Sequence, residues 1–444
     1  MKPYLDILRL VWPLALGMVN NALLQFTDRA FLAHESMASL EAVLPASMLA
    51  LIALGFFQAV VAYSGTFVAQ YYGAGRPAMC RRSYHAGLLL SLAAGVLMIC
   101  ALPFGDLVFE TFSSGEEVIS RQKAYYDICT AGGVFLFGQM AAQAYFTGLG
   151  KTRVVFWVNV IGNLINVALD PILIFGWWGV PKLGISGAAY ATVFATFVQW
   201  VILTAVAHRS RETEQADVGG DTVFRLAVRV VRFGVPAGVY SVLNILSFTV
   251  FLFVAESVGH VEMAVSNACF TVNYLLLAPM DGFALGAATL VGQAQGRGDS
   301  AEAVRAGTRT MTLGVAFVAV LSAAVLLFHR PLLDIFASEV GAAEAARFHS
   351  LGFVLFTMMA AWQVFDAADV VLLGCLRGAG DTKFVMWWMM TVSFGIWLPL
   401  VLVVSKCHNT MEALWFTVLV DVVVLCIGTI VRWRRGRWKG IRVV

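Results

Sequence analysis

The sequence predicts an all-α membrane protein with 12 transmembrane helices in two pseudo-symmetric six-helix lobes. Composition is the first observation behind this prediction, because hydrophobic residues make up 60% of the chain and charged residues only 13%. A soluble domain typically carries about 25% charged residues. The second observation is that apolar runs long enough to cross a hydrocarbon core of ~30 Å recur along the whole sequence. Such runs must be helices, because a backbone polar group in lipid needs a partner within its own segment.

The apolar runs place the predicted spans in order along the chain. They lie near 10–33, 42–71, 84–104, 125–147, 154–176, 185–207, 230–255, 263–293, 307–328, 348–374, 384–405 and 411–431. Strict alternation of polar and apolar residues is absent, which argues against a membrane β-barrel. The one long polar connector falls at mid-chain, so we expect an N-terminal lobe over 1–208, a cytoplasmic linker over 209–225 and a C-terminal lobe over 226–444.

The basic residues predict the orientation of the chain in the membrane. With both termini in the cytoplasm, 23 of the 30 Lys and Arg residues fall on the cytoplasmic side. This asymmetry favours a multi-pass protein of the cell (inner) membrane with both ends inside. The basic tail that begins at Arg432 is expected to lie beside anionic lipid rather than to bind nucleic acid.

An internal repeat is the third observation. Five residues of the first half recur 223 positions later, and three more recur 230 positions later. They are Pro13, Thr66, Gln70, Gly73 and Gly75, matched by Pro236, Thr289, Gln293, Gly296 and Gly298, and Gly148, Gly150 and Thr152, matched by Gly378, Gly380 and Thr382. Each half crosses the membrane an even number of times, so we expect parallel halves related by an axis along the membrane normal. The repeated glycines are expected to end helices in left-handed turns.

Polar residues inside the apolar spans are the candidate functional residues of the first half. Two series share helical spacing: Asn21, Gln25 and Asp28 in the first span, and Asn159, Asn163, Asn166 and Asp170 in the fifth. Each series lies on one helix face. Amides alone could join helices by hydrogen bonds, but carboxylates at membrane depth favour a function. Asp28 and Asp170 could carry a proton, or, together with the amides Asn163 and Asn166, could form an oxygen-rich site for Na+.

The second half has its own series of polar residues. Gln363, Asp366 and Asp369 recur every three residues and therefore share a helix face. We expect them to contribute to a substrate site or a second cation site. Asp281 follows a proline, and Asp421 stands alone among apolar residues, where it could pack or relay protons.

Four stretches of this chain resemble the multidrug and toxic compound extrusion (MATE) family of transporters. They are NVALDPILIFG at 166–176, GISGAAYAT at 184–192, LRGAGDT at 376–382 and VAQYYGAG at 68–75. The similarity extends from about residue 7 to residue 430. It implies a MATE-like fold and an antiporter in which inward movement of H+ or Na+ drives the export of an organic solute.

The resemblance also implies roles for particular residues. In several branches of the family a first-span Asp and a fifth-span Asn and Asp form the cation site, which correspond to Asp28, Asn166 and Asp170 here. Asn21 falls where an amide is often found. Asp366 matches a tenth-span Asp of one branch, but the seventh-span Glu of that branch is Asn244 in this chain.

Three classes of function remain open at this point. The first is the exporter of cationic or amphiphilic solutes, and the second is a lipid-linked precursor flippase of the same superfamily. A flippase cavity should be lined with Arg and Lys for pyrophosphate, whereas the basic residues here lie almost wholly in loops. The third is a membrane enzyme or receptor, which would need clustered catalytic or metal-binding residues, and neither the histidines nor the seven cysteines have such spacing. We expect a monomer that has no catalytic residues and no cofactor beyond the coupling H+ or Na+, and that works in the lipid bilayer on a small organic solute.

Overall fold

A computed structural model describes residues 2–112, 115–209, 220–337, 342–441 and 443–444. Every regular element among them is a helix. The first half contains α1 Lys2–Glu35, α2 Met37–Ala62, α3 Ser64–Gly73, α4 Pro77–Cys100, α5 Leu102–Phe112, α6 Glu116–Ala131, α7 Gly133–Gly148, α8 Thr152–Phe175 and α9 Ile185–Arg209. The second half contains α10 Val223–Glu256, α11 His260–Gly296, α12 Ser300–Leu327, α13 His329–Ala337, α14 Ala342–Ala379, α15 Thr382–Met389, α16 Leu398–Cys407 and α17 Met411–Arg435. A π-helical turn, Met390–Trp397, joins α15 to α16, and 3-10 turns follow α8 at Trp177–Gly179 and α17 at Arg437–Gly440.

Eleven helical segments within the described ranges are long and apolar enough to cross a membrane. The fourth predicted span, 125–147, is not among them. It corresponds to α6 and α7, each of 16 residues, which are separated at Gly132. Neither reaches the ~20 residues that a crossing requires, but the two follow one another from Glu116 to Gly148. The predicted all-α membrane fold is therefore confirmed, and the fourth predicted span corresponds to two consecutive helices.

Two short helices, α5 and α13, were not predicted. They follow the third and ninth predicted spans and have only 11 and 9 residues. Lys123 of α6 forms ion pairs with Asp106 at 3.3 Å and Glu110 at 2.6 Å, and these contacts connect α5 to α6. A helix this short does not show as an apolar run of membrane-spanning length.

The chain divides into two compact units. One unit contains Met1–Ala15, Val242–Val291 and Ser300–Arg442, and the other contains Leu16–Ser241, Gly292–Asp299 and Val443–Val444. Helices α1 and α10 therefore each contribute residues to both units. Most of the expected linker, at 210–219, lies outside the described residues, and the expected division into 1–208, 209–225 and 226–444 stays a prediction.

Each unit has its own buried apolar core. In the unit that holds most of the second half, Trp362 of α14 packs against Trp415 of α17 with ring centroids 5.0 Å apart. In the other unit, Phe137 of α7 is fully buried and packs against Phe57 of α2 at 6.0 Å. These cores fix the helices that carry the buried polar residues.

Four of the eight repeated glycines form the predicted left-handed turns. Gly75 and Gly298 follow α3 and α11 with φ values of 70° and 77°. Gly150 and Gly380, which follow α7 and α14, have φ values of 78° and 96°. Glycine adopts this conformation without the penalty that a side chain would add.

Two glycines related by the repeat, Gly73 and Gly296, each contact a glutamine of the other half of the chain. These two glutamines are also related by the repeat. A Cβ atom at Gly73 would lie 2.0 Å from the backbone oxygen of Gln293, and one at Gly296 would lie 1.9 Å from the backbone oxygen of Gln70. The ends of α3 and α11 therefore touch backbone to backbone. The contact is reciprocal, as a local two-fold axis requires.

Candidate functional site

Helices α1 and α8 bring three predicted site residues of the first half together, beside α9. The carboxyl groups of Asp28 and Asp170 are in hydrogen-bonding contact. The amide of Asn166 lies beside them, and its Nδ2 donates to Asp28 Oδ1 at 3.1 Å while its Oδ1 accepts from the backbone N–H of Thr192 at 3.1 Å. That orientation of the amide satisfies both neighbours.

Burial makes this carboxyl pair chemically unusual. Asn166 and Asp170 are fully buried, and Asp28 is half-buried. Asp170 Oδ1 has no hydrogen-bond partner among the described residues. An ionised carboxylate only accepts hydrogen bonds, so two carboxyl groups in contact need a proton between them. The pair can hold one proton, or its oxygens can bind a cation in place of that proton.

Asn21 and Asn163 form a second contact between α1 and α8. Asn163 Nδ2 donates to Asn21 Oδ1 at 3.1 Å and lies 3.4 Å from the backbone oxygen of Asn20. The amide stripe of α8 therefore faces α1 at two successive levels. Loss of either contact would change how α1 is held against α8.

Asn159 has a different environment from the rest of its stripe. Its Oδ1 accepts from Gln143 Nε2 at 2.7 Å, and Gln199 Nε2 lies 3.4 Å from its backbone oxygen. Gln199 also accepts from Gln139 at 2.6 Å. These amides connect α7, α8 and α9, which is the packing role that buried amides have in membrane bundles.

Two residues near the carboxyl pair escaped the sequence reasoning. Thr192 of α9 contacts Asn166, and Tyr125 of α6 lies within range of the charges of Asp28 and Asp170. Thr192 ends the second motif that carries the family resemblance, which is a signal that could have found it. Tyr125 lies at the predicted start of its span, and nothing in its spacing marks it.

The acids of the second half form a cluster of their own. Asp366 lies within range of the charges of Asp369, Asp281 and Asp421, which come from α14, α11 and α17. Asp421 Oδ1 accepts from Ser393 Oγ of the π-helical turn at 3.5 Å. Asp369 Oδ1 is buried without a hydrogen-bond partner in the described part of the chain. Isolation among apolar residues predicts a packing or relay role for Asp421, and the structure places it within range of Asp366.

Gln363 and Asn244 differ in their surroundings. Gln363 is fully buried, and its Nε2 donates to Asn273 Oδ1 at 2.6 Å. Asn244 is exposed, and no hydrogen bond within the described residues joins its side chain to the acids. Arg377 is a basic counterpart, because its charge acts on both Asp281 and Asp369.

Comparison with known proteins agrees with this architecture. The family model MatE matches residues 13–172 and 236–403. The chain is 24% identical over 442 residues to a probable multidrug resistance protein NorM from Thermotoga maritima, a match that covers 98% of this chain and 93% of the relative. A probable NorM from Rhizobium meliloti is 28% identical over 343 residues and covers 75% of this chain and 71% of that protein.

Solved structures share the fold over nearly the whole chain. An outward-facing multidrug resistance MATE family transporter of the MOP superfamily matches with a TM-score of 0.85 at 19% identity, covering 98% of this chain and 95% of that one. A MOP superfamily transporter from Pyrococcus furiosus matches with a TM-score of 0.84 at 19% identity and the same coverage. With the family model matched in both halves, the chain belongs to the MatE family, the multidrug and toxic compound extrusion transporters.

Proposed function

We propose that this protein is a cation-coupled antiporter that exports organic solutes by alternating access, and that its coupling site is formed by Asp28, Asp170 and Asn166. The observation that carries the proposal is the contact between the two carboxyl groups of α1 and α8. A coupling site must exist in a loaded and an unloaded form. This pair has two such forms, since it holds a proton or a cation when loaded and carries two repelling charges when empty.

Loading the site changes how α1 is held. With a proton or Na+ bound, the carboxyl groups attract one another through it, and Asn163 and Asn21 hold the next level of the same interface. Without it, like charges push α1 away from α8. Pro13 lies inside α1, where it removes a backbone hydrogen bond and provides a place for the helix to bend.

This difference is what coupling requires. A ligand shifts a conformational equilibrium only as far as its affinities for the two states differ. The cation binds well where the two carboxyl groups lie together and poorly where α1 has moved away. Cation entry from outside therefore favours one conformation, and its release inside favours the other.

The acids of the second half support a substrate site or a second cation site. Asp366 and Asp369 share a face of α14 with Gln363, and Asp421 lies near them. Acidic side chains in an apolar bundle fit cationic or amphiphilic solutes. The related proteins named for multidrug resistance support the same class of substrate. The basic loops support placing both termini in the cytoplasm and the protein in the inner membrane. We further propose that it works there as a monomer.

The test uses purified protein in vesicles with an imposed pH or Na+ gradient and ethidium as the cationic probe. We expect Asp28→Asn and Asp170→Asn each to reduce gradient-driven ethidium movement to the passive leak. Asp6→Asn is the matched control, because it is the same substitution on the same helix α1. Asp6 is exposed and paired with Arg9 at 3.7 Å. Gradient-driven efflux at the wild-type rate by both Asp28 and Asp170 variants, at equal protein content, would show that coupling lies elsewhere.

A further inference from the structure

A groove of about 580 Å³ lies between α15 and the C-terminal end of α17. Its apolar wall is formed by Phe384 and Trp388 of α15 and by Ile427 and Val431 of α17. The volume is within the range of ~300–1,000 Å³ typical of small-molecule sites. None of these residues takes part in the proposed coupling or substrate sites.

The aromatic side of the groove is fixed by the backbone of α17. Trp388 Nε1 donates to the backbone oxygen of Leu425 at 3.1 Å, and the ring of Phe384 stacks on Trp388 at 6.2 Å with an interplanar angle of 7°. A Cβ atom at Gly428 would lie 2.1 Å from the indole. Glycine at 428 therefore allows the indole to lie against α17, and the position of this wall of the groove is fixed by packing and a hydrogen bond.

Three arginines surround the polar end of the groove, and they differ in how their charges are balanced. Arg432 forms a bidentate ion pair with Asp381 at 2.7 and 3.1 Å, and its guanidinium lies 4.7 Å from the ring centroid of Phe384. Arg435 and Arg437 are exposed, and the described residues offer them no carboxylate partner. The groove therefore ends in two uncompensated positive charges.

The position of Arg437 depends on a folded turn. Helix α17 ends before Gly436, and the 3-10 turn Arg437–Gly440 follows. Trp438 of this turn is fully buried, stacks on Trp433 at 4.3 Å, and donates its Nε1 to the backbone oxygen of Trp433 at 3.0 Å. Arg437 therefore lines the groove on an anchored turn.

We propose that this groove binds one anionic phospholipid, with the phosphate between Arg435 and Arg437 and an acyl chain along Trp388 and Val431. Guanidinium groups suit phosphate oxygens because they offer several donors in a fixed plane. Basic pockets between transmembrane helices at the cytoplasmic side suit anionic headgroups. A free anion would not use the apolar wall, and the headgroup cation of a zwitterionic lipid would be repelled by the two arginines, so both features together favour an anionic phospholipid.

The first test measures lipid binding to the full-length purified protein in detergent. Phosphatidylglycerol and phosphatidylcholine of equal chain length are titrated separately, and bound lipid is counted by native mass spectrometry. We expect phosphatidylglycerol to bind and the double variant Arg435→Gln with Arg437→Gln to weaken that binding roughly tenfold or more, since each basic group near an anionic lipid contributes severalfold. The matched control is Arg434→Gln with Lys439→Gln, which removes the same charge from the same tail outside the groove and should retain wild-type binding.

The second test separates the lipid from a free anion and from general charge attraction. Val431→Trp fills the apolar wall at a position that is 40% exposed, and leaves both arginines in place. We expect it to lose bound phosphatidylglycerol as well. Equal binding of phosphatidylcholine, equal loss in the two double variants, displacement of lipid by inorganic phosphate at the same concentration as the lipid, or wild-type binding by Val431→Trp would each overturn the proposal.

Discussion

At the scale of single residues, the second half gathers acids that have little basic compensation. Asp366 lies near the charges of Asp369, Asp281 and Asp421, and Arg377 is the described cation that acts on two of these acids. Isolated carboxylates are expensive at membrane depth, by ~2.5–3.5 kcal/mol each on insertion scales. A cationic solute or a bound cation would offset that cost, so we expect Asp366 to take part in binding one.

This expectation is tested by Asp366→Asn, which keeps the size of the side chain and removes its charge. We expect ethidium efflux in vesicles to fall about tenfold, equivalent to about 1.4 kcal/mol of lost interaction, while the amount of inserted protein stays constant. Asp334→Asn is the control, because Asp334 is an exposed acid of α13 that pairs with His349 at 3.3 Å. Transport by Asp366→Asn at the wild-type rate would make Asp366 a structural residue.

Helical spacing predicts which residues of one helix share a face, and it does not predict what faces them. The period of 3.6 residues placed Asn163, Asn166 and Asp170 on one stripe of α8, and all three are buried. Thr192 and Tyr125 belong to other helices, and their contact with the carboxyl pair depends on tertiary packing. The separate surroundings of Asn159 depend on the same packing, since its partners come from α7 and α9.

At the scale of helices, the C-terminal end of α1 is held by a buried carboxylate. Glu35 forms ion pairs with Arg121 at 3.3 Å and Lys182 at 3.0 Å, and accepts from Ser36 at 2.7 Å. Burial acts to raise the pKa of Glu35, but hydrogen bonds from Ser39, Ser36 and Lys182 outweigh it and lower the pKa to about 2. These contacts join the end of α1 to α6 and to the segment before α9.

The low pKa of Glu35 predicts how stability depends on pH. A carboxyl whose pKa falls on folding stabilises the fold fully above its ordinary value of 4.5, and that contribution is lost as the pH falls towards 2. We expect Glu35→Gln to destabilise the protein at pH 7 by about 1–3 kcal/mol, because its partners are left unpaired. Thermal unfolding in detergent should show the two proteins converging as the pH falls below 4.5.

The matched control for this prediction is Glu117→Gln. Glu117 pairs with the same Arg121 at 2.8 Å, but its side chain is 70% exposed, so we expect a change of only about 0–1 kcal/mol. A difference between wild type and Glu35→Gln that stays constant from pH 7 to pH 3 would show that the charge of Glu35 is not its source.

Apolar runs locate helices well in a membrane protein but do not show where a helix is interrupted. The span predicted at 125–147 is two helices, with the break at Gly132, and the span predicted at 384–405 contains a π-helical turn at Met390–Trp397. Both interrupted segments remain apolar, so hydropathy does not reveal the interruptions. Ser393 of the π-helical turn bonds to Asp421, which links that interruption to the acids.

At the scale of the whole molecule, the internal repeat is tied to a physical contact. Gly73 and Gly296 approach the backbones of Gln293 and Gln70 so closely that no side chain fits. We expect Gly73→Ala and Gly296→Ala each to lower stability by about 1–3 kcal/mol, because the added methyl group forces the ends of α3 and α11 apart. Thermal unfolding of the purified variants in detergent measures this directly.

Gly17→Ala provides the control for both substitutions. Gly17 lies inside α1, and a Cβ atom there meets nothing within 4 Å. Alanine is the better helix former, so we expect no loss of stability and a small gain. Stability losses of equal size in all three variants would mean that the close approach of α3 and α11 has no special importance.

The repeat predicted the closing turns because glycine at matched positions allows the backbone to adopt a positive φ. It does not show which residues make up each compact unit, since the first residues of α1 group with the second half of the chain and the first residues of α10 group with the first half. Such grouping depends on long-range packing, which periodicity within one helix does not encode. Local conformation was therefore readable from the sequence to a greater extent than the assignment of helices to units.

The reciprocal contact between the ends of α3 and α11 also has a genetic consequence. In a half-length ancestor that assembled as a pair, one glycine codon would supply both sides of the contact, and a single base change would alter both at once. In the fused gene the codons for Gly73 and Gly296 mutate independently. Each faces the backbone of a glutamine in the other half, so a change of either codon alone is enough to disturb the contact.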